Sequence, residues 1–376
     1  MTVLLPELAR RGHQITMYCR SGEEKRSTHE GVNLTRLPSL ESKRTSTLSH
    51  GLVASAVARV ARHDVVLVVN VANTPYCVLA RATGQRVVLN TDGQEWLRGK
   101  WGSVGRRYFL WCARHAAAGA AALVSDCREM SRVYQEDFGA LSSVIPYSAM
   151  PSVDAGHDLT QFGVRAGAYG LVAARMNPEN NVDRIAAAFA RSRLDVPLLV
   201  AGTANYDSPV AEHVRQIARS DKRIRPIGHV GDRGTFASLL KHARVYIHGH
   251  SVGGMNPSLV EAMAAGALVV ALGTPFNREV LGNTGVYFDS DDELISVLNS
   301  LSSGEGPGEA LRDAASSRAF GRFCLRDVAD AYELLLTEVA NLPSARHRAS
   351  IATKWDRAED TGPPLATPVP VNVGAK

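Results

Sequence analysis

The segment 244–266 concentrates residue types that can hold an anion and hydrogen-bond a sugar. A strand pattern ends near His248, three glycines lie in the loop that follows, and Asn256-Pro-Ser opens a helix pattern. Glycine lets the backbone approach a ligand closely, and a helix N-terminus offers unpaired N–H groups and a positive dipole end. The segment therefore predicts a diphosphate site, although an ordinary strand–loop–helix connection explains the spacing equally well.

Glu261 lies about one turn into this predicted helix, where its carboxylate can accept hydrogen bonds from ribose hydroxyls. His248 and His250 are two residues apart, a spacing that sends their side chains to opposite sides of an extended chain. The segment therefore favours a nucleotide ligand over a bound metal ion.

Asp92 follows the predicted strand 86–90 at its carboxyl end. A carboxylate in that position can orient an acceptor hydroxyl or take its proton. The alternative is a tight turn at Asp92-Gly93 in which the aspartate bonds its own backbone. The residues alone leave both interpretations open.

Residues 94–114 interleave cations with aromatic side chains, namely Arg98, Lys100, Arg106, Arg107 and Arg114 with Trp96, Trp101, Tyr108, Phe109 and Trp111. Such a helix can lie at a membrane interface and meet a lipid-linked acceptor there. Alternatively, the aromatic side chains belong to the core and the cations stay in water. The pattern favours the core for the aromatic residues and leaves the cations open.

Asp289-Ser-Asp-Asp-Glu293 contains an Asp-x-Asp triplet, a pattern that can bind a metal ion. The triplet stands between a strand pattern and the apolar run 294–298, so capping of a helix N-terminus explains it more simply. The sequence therefore predicts no metal site.

Composition narrows the class of protein. The 376 residues are 45% apolar and 21% charged, which is ordinary for a globular protein, and their number predicts two domains. The net charge of +5 is too mild to indicate a nucleic-acid partner. Five scattered cysteines without a C-x-x-C pair, no long apolar run and no leader pattern predict a cytoplasmic protein without a disulfide framework.

Short β-branched runs alternate with alanine-rich helix patterns, which predicts two α/β doubly wound lobes. The predicted strands are 14–19, 32–37, 64–70, 86–90, 121–126 and 142–146 in the first half, and 169–174, 196–202, 225–228, 244–248, 268–272 and 285–288 in the second. The runs 65–69 and 268–272 are apolar without alternation, so we expect helices on both faces of these strands.

The polar, Pro- and Gly-containing stretch 149–168 is the predicted domain boundary. It divides the chain into an acceptor-side lobe, 1–150, and a nucleotide-sugar lobe, 151–340, that face a cleft. The tail 341–376, rich in Pro, Ala and Thr, is predicted to be disordered.

The beginning of the chain is unusual for such a lobe. Residues 3–11 predict a helix with Gly12 as its C-cap, whereas a doubly wound lobe begins with a central strand. We therefore expect the first lobe to lack its first strand, either because the fold is trimmed or because the native chain starts upstream of Met1.

Taken together, these segments resemble the family 4 retaining glycosyltransferases of GT-B fold, and among them a rhamnosyltransferase-like subgroup. The most specific match is the run 248–263, which reads His-Gly-His-Ser-Val-Gly-Gly-Met-Asn-Pro-Ser-Leu-Val-Glu-Ala-Met. Four further segments agree in order and spacing, namely 11–20, 90–102, 175–181 and 276–282. The resemblance covers residues 3–338.

The resemblance implies transfer of a sugar, with rhamnose as the first choice, from a nucleotide diphosphate donor to a glycan or lipid-linked hydroxyl. It implies that the anomeric configuration is retained, that no metal cofactor is essential, and that the inner face of the membrane is the place of contact with lipid. Arg175 then neutralises the diphosphate and Glu261 holds the ribose, with Asp92 and Arg175 as the catalytic candidates. The remaining donor-binding candidates are Asn180, His250, Gly253, Gly254, Asn256 and Ser258.

Two positions depart from the family pattern. Gly253 stands where the first glutamate of a Glu-x7-Glu pair is usual, so His250 or backbone N–H groups are the candidates to contact the sugar. Asn180 stands where a lysine usually accompanies Arg175. The loss of this charge should weaken stabilisation of the leaving group unless another cation substitutes.

Two other functions remain open at this point. A nucleotide-sugar epimerase uses a similar pair of lobes and needs no acceptor. A truncated, non-catalytic relative would only bind a nucleotide or a partner, and the expected lack of a first strand motivates this alternative.

Overall fold

The computed structural model of the chain describes residues 1–20, 26–40, 46–99, 101–150, 159–204, 208–303 and 308–357. Strands and helices alternate along these residues and form two α/β lobes. Residues 151–158, within the predicted boundary stretch 149–168, lie outside the described residues.

The first lobe contains two separate sheets rather than one. Its strands are β1 (Thr16–Arg20), β2 (Thr28–His29), β3 (Val32–Leu37), β4 (Val66–Val69), β5 (Val87–Asn90), β6 (Ala122–Ser125) and β7 (Ser143–Val144). They form a sheet of order β1-β3-β2 and a parallel sheet of order β4-β5-β6-β7. Its helices are α1 (Leu4–Arg10), α2 (Ser46–Ala61), α3 (Thr74–Ala82), α4 (Ser103–Gly119) and α5 (Arg128–Phe138).

The gap between the two sheets of the first lobe lies between β1 and β4, where a doubly wound sheet has its first strand. Among the described residues, β1 pairs with β3 alone and β4 pairs with β5 alone. The apolar side chains of Met17 and Val69 on these two strands are 39% and 41% exposed. The expectation that 65–69 is covered on both faces holds in part: Val68 packs against one apolar cluster and Leu67 against another, but no residue of β4 is fully buried, whereas 268–272 is covered as predicted.

The second lobe is built on one continuous parallel sheet. Its strands are β8 (Gly170–Ala173), β9 (Leu198–Ala201), β10 (Ile224–Gly228), β11 (Val245–His248), β12 (Val269–Leu272) and β13 (Val286–Phe288), in the order β10-β9-β8-β11-β12-β13. Its helices are α6 (Val182–Arg191), α7 (Pro209–Ser220), α8 (Arg233–His242), α9 (Pro257–Ala264), α10 (Pro275–Leu281), α11 (Asp291–Ser303) and α12 (Glu309–Arg322). The central strands β8 and β11 are buried throughout, because helices cover both faces of the sheet.

The chain then returns to the first lobe. Helix α13 (Leu325–Ala340) packs its apolar face into the same core as Val88 and Val124, the second and third strands of the parallel sheet. Nη1 of Arg11, just after α1, pairs with carboxylates of Asp330 and Glu333 on α13 at 2.7 and 2.8 Å. The first lobe is therefore completed by residues far along the sequence.

The expectation that the tail after Asn341 is disordered is wrong for residues 342–357. The N–H of Ala349 donates to the carbonyl of Ala121 at 2.9 Å, and Trp355 is only 2% exposed. The tail's composition suggested disorder, but Ile351 and Trp355 supply apolar anchors that bury against the first lobe. Residues 358–376 lie outside the described residues. None of the described helices has the length and apolarity needed to cross a bilayer.

Candidate functional site

The loop between β11 and α9 carries most of the predicted donor-binding residues. Pro257 is the first residue of α9, and Oδ1 of Asn256 accepts hydrogen bonds from the N–H and the hydroxyl of Ser258 at 3.1 and 2.9 Å. The hydroxyl of Tyr246 on β11 donates to Oγ of Ser258 at 3.3 Å. The helix start predicted from Asn256-Pro-Ser is thus confirmed, and its cap uses one of the free N–H groups.

The glycines of this loop lie directly against the first lobe. A Cβ at Gly253 would lie 2.5 Å from Cγ of Gln94, and a Cβ at Gly254 would lie 2.8 Å from Oδ2 of Asp126. Their φ values of +32° and +88° are also ones that other residues rarely adopt. A glutamate at position 253 would collide with Gln94, which explains the glycine found there.

Two carboxylates cross from one lobe to the other. Oδ2 of Asp126, which follows β6, accepts the N–H of Met255 at 2.8 Å. In the opposite direction, Glu279 of α10 accepts the N–H groups of Arg128 and Glu129 at 2.8 and 2.9 Å, and so caps α5. Burial raises the pKa of both carboxyl groups, that of Asp126 to about 8. The loop therefore offers a ligand fewer free backbone N–H groups than predicted, because the N–H of Met255 already donates to Asp126.

A cavity of about 690 Å³ opens beside α9, a volume typical of small-molecule sites. Arg175, Arg233, Ser258 and Glu261 contribute polar groups to its wall. Burial raises the pKa of Glu261, and the charge of Arg233 acts in the opposite direction. The structure thus brings Arg175, Ser258 and Glu261 together around one space, as the motif predicts.

Asn180 connects the Arg175 segment to the glycine-rich loop. Its Nδ2 donates to the carbonyl of Arg175 at 2.8 Å, and its Oδ1 lies 2.8 Å from Nδ1 of His250. Burial, together with the charges of Arg98 and Arg175, lowers the pKa of His250 to about 4, so the ring is neutral at pH 7. Asn180 thus holds His250 in place and carries no charge of its own.

Asp92 lies at the junction of the two lobes. Its φ is +55°, and its N–H donates to Oδ1 of Asn90 at 2.9 Å, while Nδ2 of Asn90 donates to the hydroxyl of Tyr332 on α13 at 3.0 Å. A Cβ on the next residue, Gly93, would lie 2.5 Å from the carbonyl oxygen of Gly253. Asp92 is therefore held beside the glycine-rich loop, and the side chain that caps its turn is Asn90.

The basic and aromatic segment divides into two parts. Trp96 and Phe109 are buried, and Trp96 makes edge-on ring contacts with Tyr134 and Phe138 at 6.1 and 5.3 Å between centroids. The exposed side chains on α4 include Val104, Arg106, Arg107, Trp111 and Arg114, and His115 stacks on Trp111 with ring centroids 4.4 Å apart. Lys100 lies outside the described residues. The core interpretation is thus confirmed for Trp96 and Phe109 but not for Trp111.

The carboxylates of the Asp-x-Asp triplet are engaged by arginines. Asp289 pairs with Arg278 at 3.1 Å and Asp291 pairs with Arg184 at 2.7 Å. The N–H of Glu293 donates to Oγ of Ser290 at 3.2 Å, at the start of α11. These contacts agree with the capping interpretation.

Three residues of this site, Gln94, Asp126 and Glu279, have no predicted role, and Arg98 was predicted only as one cation of the basic and aromatic segment. Asp126 follows the predicted strand 121–126 as Asp92 follows 86–90. The carboxyl ends of neighbouring parallel strands meet at one edge of a sheet. The matching positions of Asp126 and Asp92 could therefore have identified Asp126 as a site residue. No local pattern indicated which residue of the other lobe each side chain meets.

Two domain families match the chain in succession. Residues 2–147 match the family described as glycosyl transferase 4-like domain, and residues 168–303 match the family described as glycosyl transferases group 1. A curated relative, the O-antigen chain mannosyltransferase B of Escherichia coli, is 25% identical over 181 residues, which are 44% of this chain and 46% of that protein. The match thus spans about half the length of that relative.

Solved structures share the two-lobed architecture. Sucrose-phosphate synthase from Thermosynechococcus elongatus aligns with a TM-score of 0.75 at 14% identity, over 90% of this chain and 92% of that one. Anabaena HepE in complex with UDP-glucose aligns with a TM-score of 0.66 at 15% identity, over 82% and 87%. At such identities the likeness shows the fold alone, and it confirms the predicted GT-B class.

Proposed function

We infer that this chain, which belongs to the glycosyltransferases of GT-B fold, transfers a sugar from a nucleotide diphosphate to a hydroxyl of a glycan or glycolipid. The observation that carries this proposal is the cavity beside α9, whose wall includes Arg175, Ser258 and Glu261. Their combination suits a nucleoside, a diphosphate and a ribose in one continuous site.

The donor occupies the second lobe in this proposal. The nucleoside fills the cavity, its pentose donates to Glu261 (through the 3′-hydroxyl alone in a dTDP donor), and the diphosphate lies between Arg175 and the N-terminus of α9. The sugar then reaches towards His250 and Gln94. Gln94 lies so close to Gly253 that no larger residue fits at position 253. The rhamnosyltransferase-like motif makes dTDP-rhamnose the first donor to test, and the UDP-glucose complex of HepE makes UDP-glucose the second.

Asp92 acts on the acceptor. The bond between the anomeric carbon and the phosphate oxygen breaks, and its electron pair stays with the departing diphosphate. The acceptor oxygen bonds the anomeric carbon, its proton passes to Asp92, and the configuration is retained, as in the family that the motif resembles. Arg175 and the dipole of α9 stabilise the charge that develops on the leaving group.

We propose that this reaction needs no metal cofactor, since Arg175 supplies positive charge and Asp289 and Asp291 are occupied by arginines. Turnover should therefore persist in excess EDTA. A loss of turnover that added Mg²⁺ or Mn²⁺ restores would contradict this part of the proposal.

The exposed face of α4 suggests where a lipid-linked acceptor is met. Val104 and Trp111 lie among Arg106, Arg107 and Arg114, so an apolar strip is flanked by positive charge. We propose that this face contacts anionic lipid on the cytoplasmic side of a membrane. The chain should co-sediment with vesicles containing phosphatidylglycerol, and Trp111→Ser with Arg107→Gln should abolish this; equal sedimentation of both proteins would contradict the proposal.

A thermal-shift screen of nucleoside diphosphates and nucleotide sugars tests the proposed function. A selective ligand should raise the melting temperature by mass action, and Glu261→Ala should weaken that shift without lowering the melting temperature of the free protein. Donor incubated alone should give no isomer, which separates transfer from epimerisation. A screen in which no nucleotide raises the melting temperature would overturn the proposal.

A further inference from the structure

The donor site has one fewer positive charge than its motif leads us to expect. Asn180 stands where a lysine accompanies Arg175, and its amide is already engaged by Arg175 and His250. Asp126 has also taken the N–H of Met255. A diphosphate bound here needs a further cation to balance its charge.

Arg98 of the first lobe lies beside this position. Its Nη2 would be 3.3 Å from a Cβ on Gly93, the residue whose backbone meets Gly253. The next residue, Gly99, packs against the donor segment, since its Cβ would lie 3.5 Å from Cβ of Pro178. Arg98 is thus enclosed between the glycine-rich loop and the segment 175–180.

The environment of Arg98 orients it and leaves donors free. Nη1 pairs with Oε1 of Glu95 at 2.8 Å, and Oε2 of Glu95 accepts the indole N–H of Trp101 at 2.9 Å. Arg98 is 8% exposed, and its Nε is buried with no hydrogen-bond partner among the described residues. A guanidinium has five N–H donors, so one carboxylate oxygen satisfies only part of it. Its charge also reaches the loop, because it lowers the pKa of His250 more than Arg175 does.

We propose that Arg98 binds the donor's diphosphate from the first lobe and supplies the charge that Asn180 lacks. This inference rests on the proposed function and adds a residue to it. Since Arg175 belongs to the second lobe, the diphosphate then bridges both lobes and holds the cleft closed over the sugar. Glu95 acts through Arg98 as a positioning residue.

Calorimetry on four proteins tests this proposal: the wild type, Arg98→Gln, Arg98→Lys and the control Arg59→Gln, which changes an exposed arginine of α2. Each is titrated with UDP and dTDP, and separately with uridine and thymidine, which have no phosphate. Melting temperatures of the free proteins show whether each variant is folded.

The expected result is a loss of diphosphate affinity of about tenfold or more in Arg98→Gln, because a charge-assisted contact is removed. Binding of the nucleosides should not change, Arg98→Lys should lose less, and Arg59→Gln should match the wild type. Unchanged diphosphate binding in a folded Arg98→Gln, or an equal loss for nucleosides and diphosphates, overturns the role of Arg98 alone. A wild type that binds no diphosphate overturns the proposed function as well.

Discussion

The two lobes differ in how their sheets are built and in what they bring to the cleft. The second lobe has one continuous sheet, and it carries Arg175 and His250 in loops and Glu261 on helix α9. The first lobe has a divided sheet, and its loops reach across with Asp92, Gln94 and Arg98. We infer that the second lobe, with its continuous sheet, binds the donor. The first lobe, with its divided sheet, then supplies the side chains that contact the donor from the other side of the cleft.

Arg175→Gln should have the largest effect, because it removes the second lobe's main contact to the leaving group. We expect turnover to fall by about 10² to 10³ and donor affinity to fall with it. Arg191→Gln, at an exposed arginine of α6, is the matched control. Initial rates at saturating donor measure the effect. A folded Arg175→Gln with normal turnover would contradict the assignment of the diphosphate contact to Arg175 of the second lobe.

Asp92→Asn should separate the roles of the lobes. The first-lobe carboxylate acts on the acceptor, so kcat should fall by about 10² while the donor Kd stays constant. Calorimetry with the donor and initial rates with the acceptor measure the two quantities. An equal loss of donor affinity would show that Asp92 belongs to donor binding, and the proposed division of labour would be wrong.

Asp126→Asn should change how stability depends on pH. Burial, with Asp92 and Glu279 nearby, raises the pKa of Asp126 to about 8, against about 3.9 in an unfolded chain. Between these values the native state binds the extra proton, so this group lowers stability as pH rises from about 4 to about 8. Asparagine keeps an acceptor for the N–H of Met255 and cannot ionise.

The melting temperature of Asp126→Asn should therefore fall less between pH 6 and pH 9 than that of the wild type. Asp137→Asn, at an exposed aspartate of α5, serves as the control. Parallel melting curves for wild type and Asp126→Asn would show that this contact between the lobes does not titrate.

The smallest expected effect is a difference in local stability between the sheets of the two lobes, which hydrogen exchange measures. Amides of β1 and β4, each paired on one side among the described residues, should exchange faster than those of β8 and β11, which have neighbours on both sides. Mass spectrometry of peptides spanning these strands measures the rates. Equal protection in both lobes would contradict the distinction between a divided and a continuous sheet.

Local patterns predicted the elements well. Each of the twelve predicted strand runs contains a strand, because apolar β-branched runs of this length suit buried parallel strands. The short strand β2 gave no such signal, since Thr28 and His29 do not belong to an apolar run. The helix starts at Pro257 and Asp291 agree with the capping residues ahead of them.

Contacts between distant segments were not predictable in the same way. Trp355 is buried in an apolar cluster that includes Val124 and Val144, more than 200 residues earlier in the chain, and the tail's composition suggested disorder instead. Likewise, Asp126 meets Met255 only because of how the lobes lie against each other. The candidate residues could be named from the motif, but their partners across the cleft could not.

We propose that the cavity lined by Arg175, Ser258 and Glu261 holds the nucleotide diphosphate of the donor. A crystal structure of the chain with the nucleotide sugar selected by the thermal screen tests it most directly. We expect the pyrophosphate at Arg175 and the N-terminus of α9, with the pentose on Glu261. Electron density that places the nucleotide elsewhere, or that shows this pocket filled by the protein's own side chains, would contradict it.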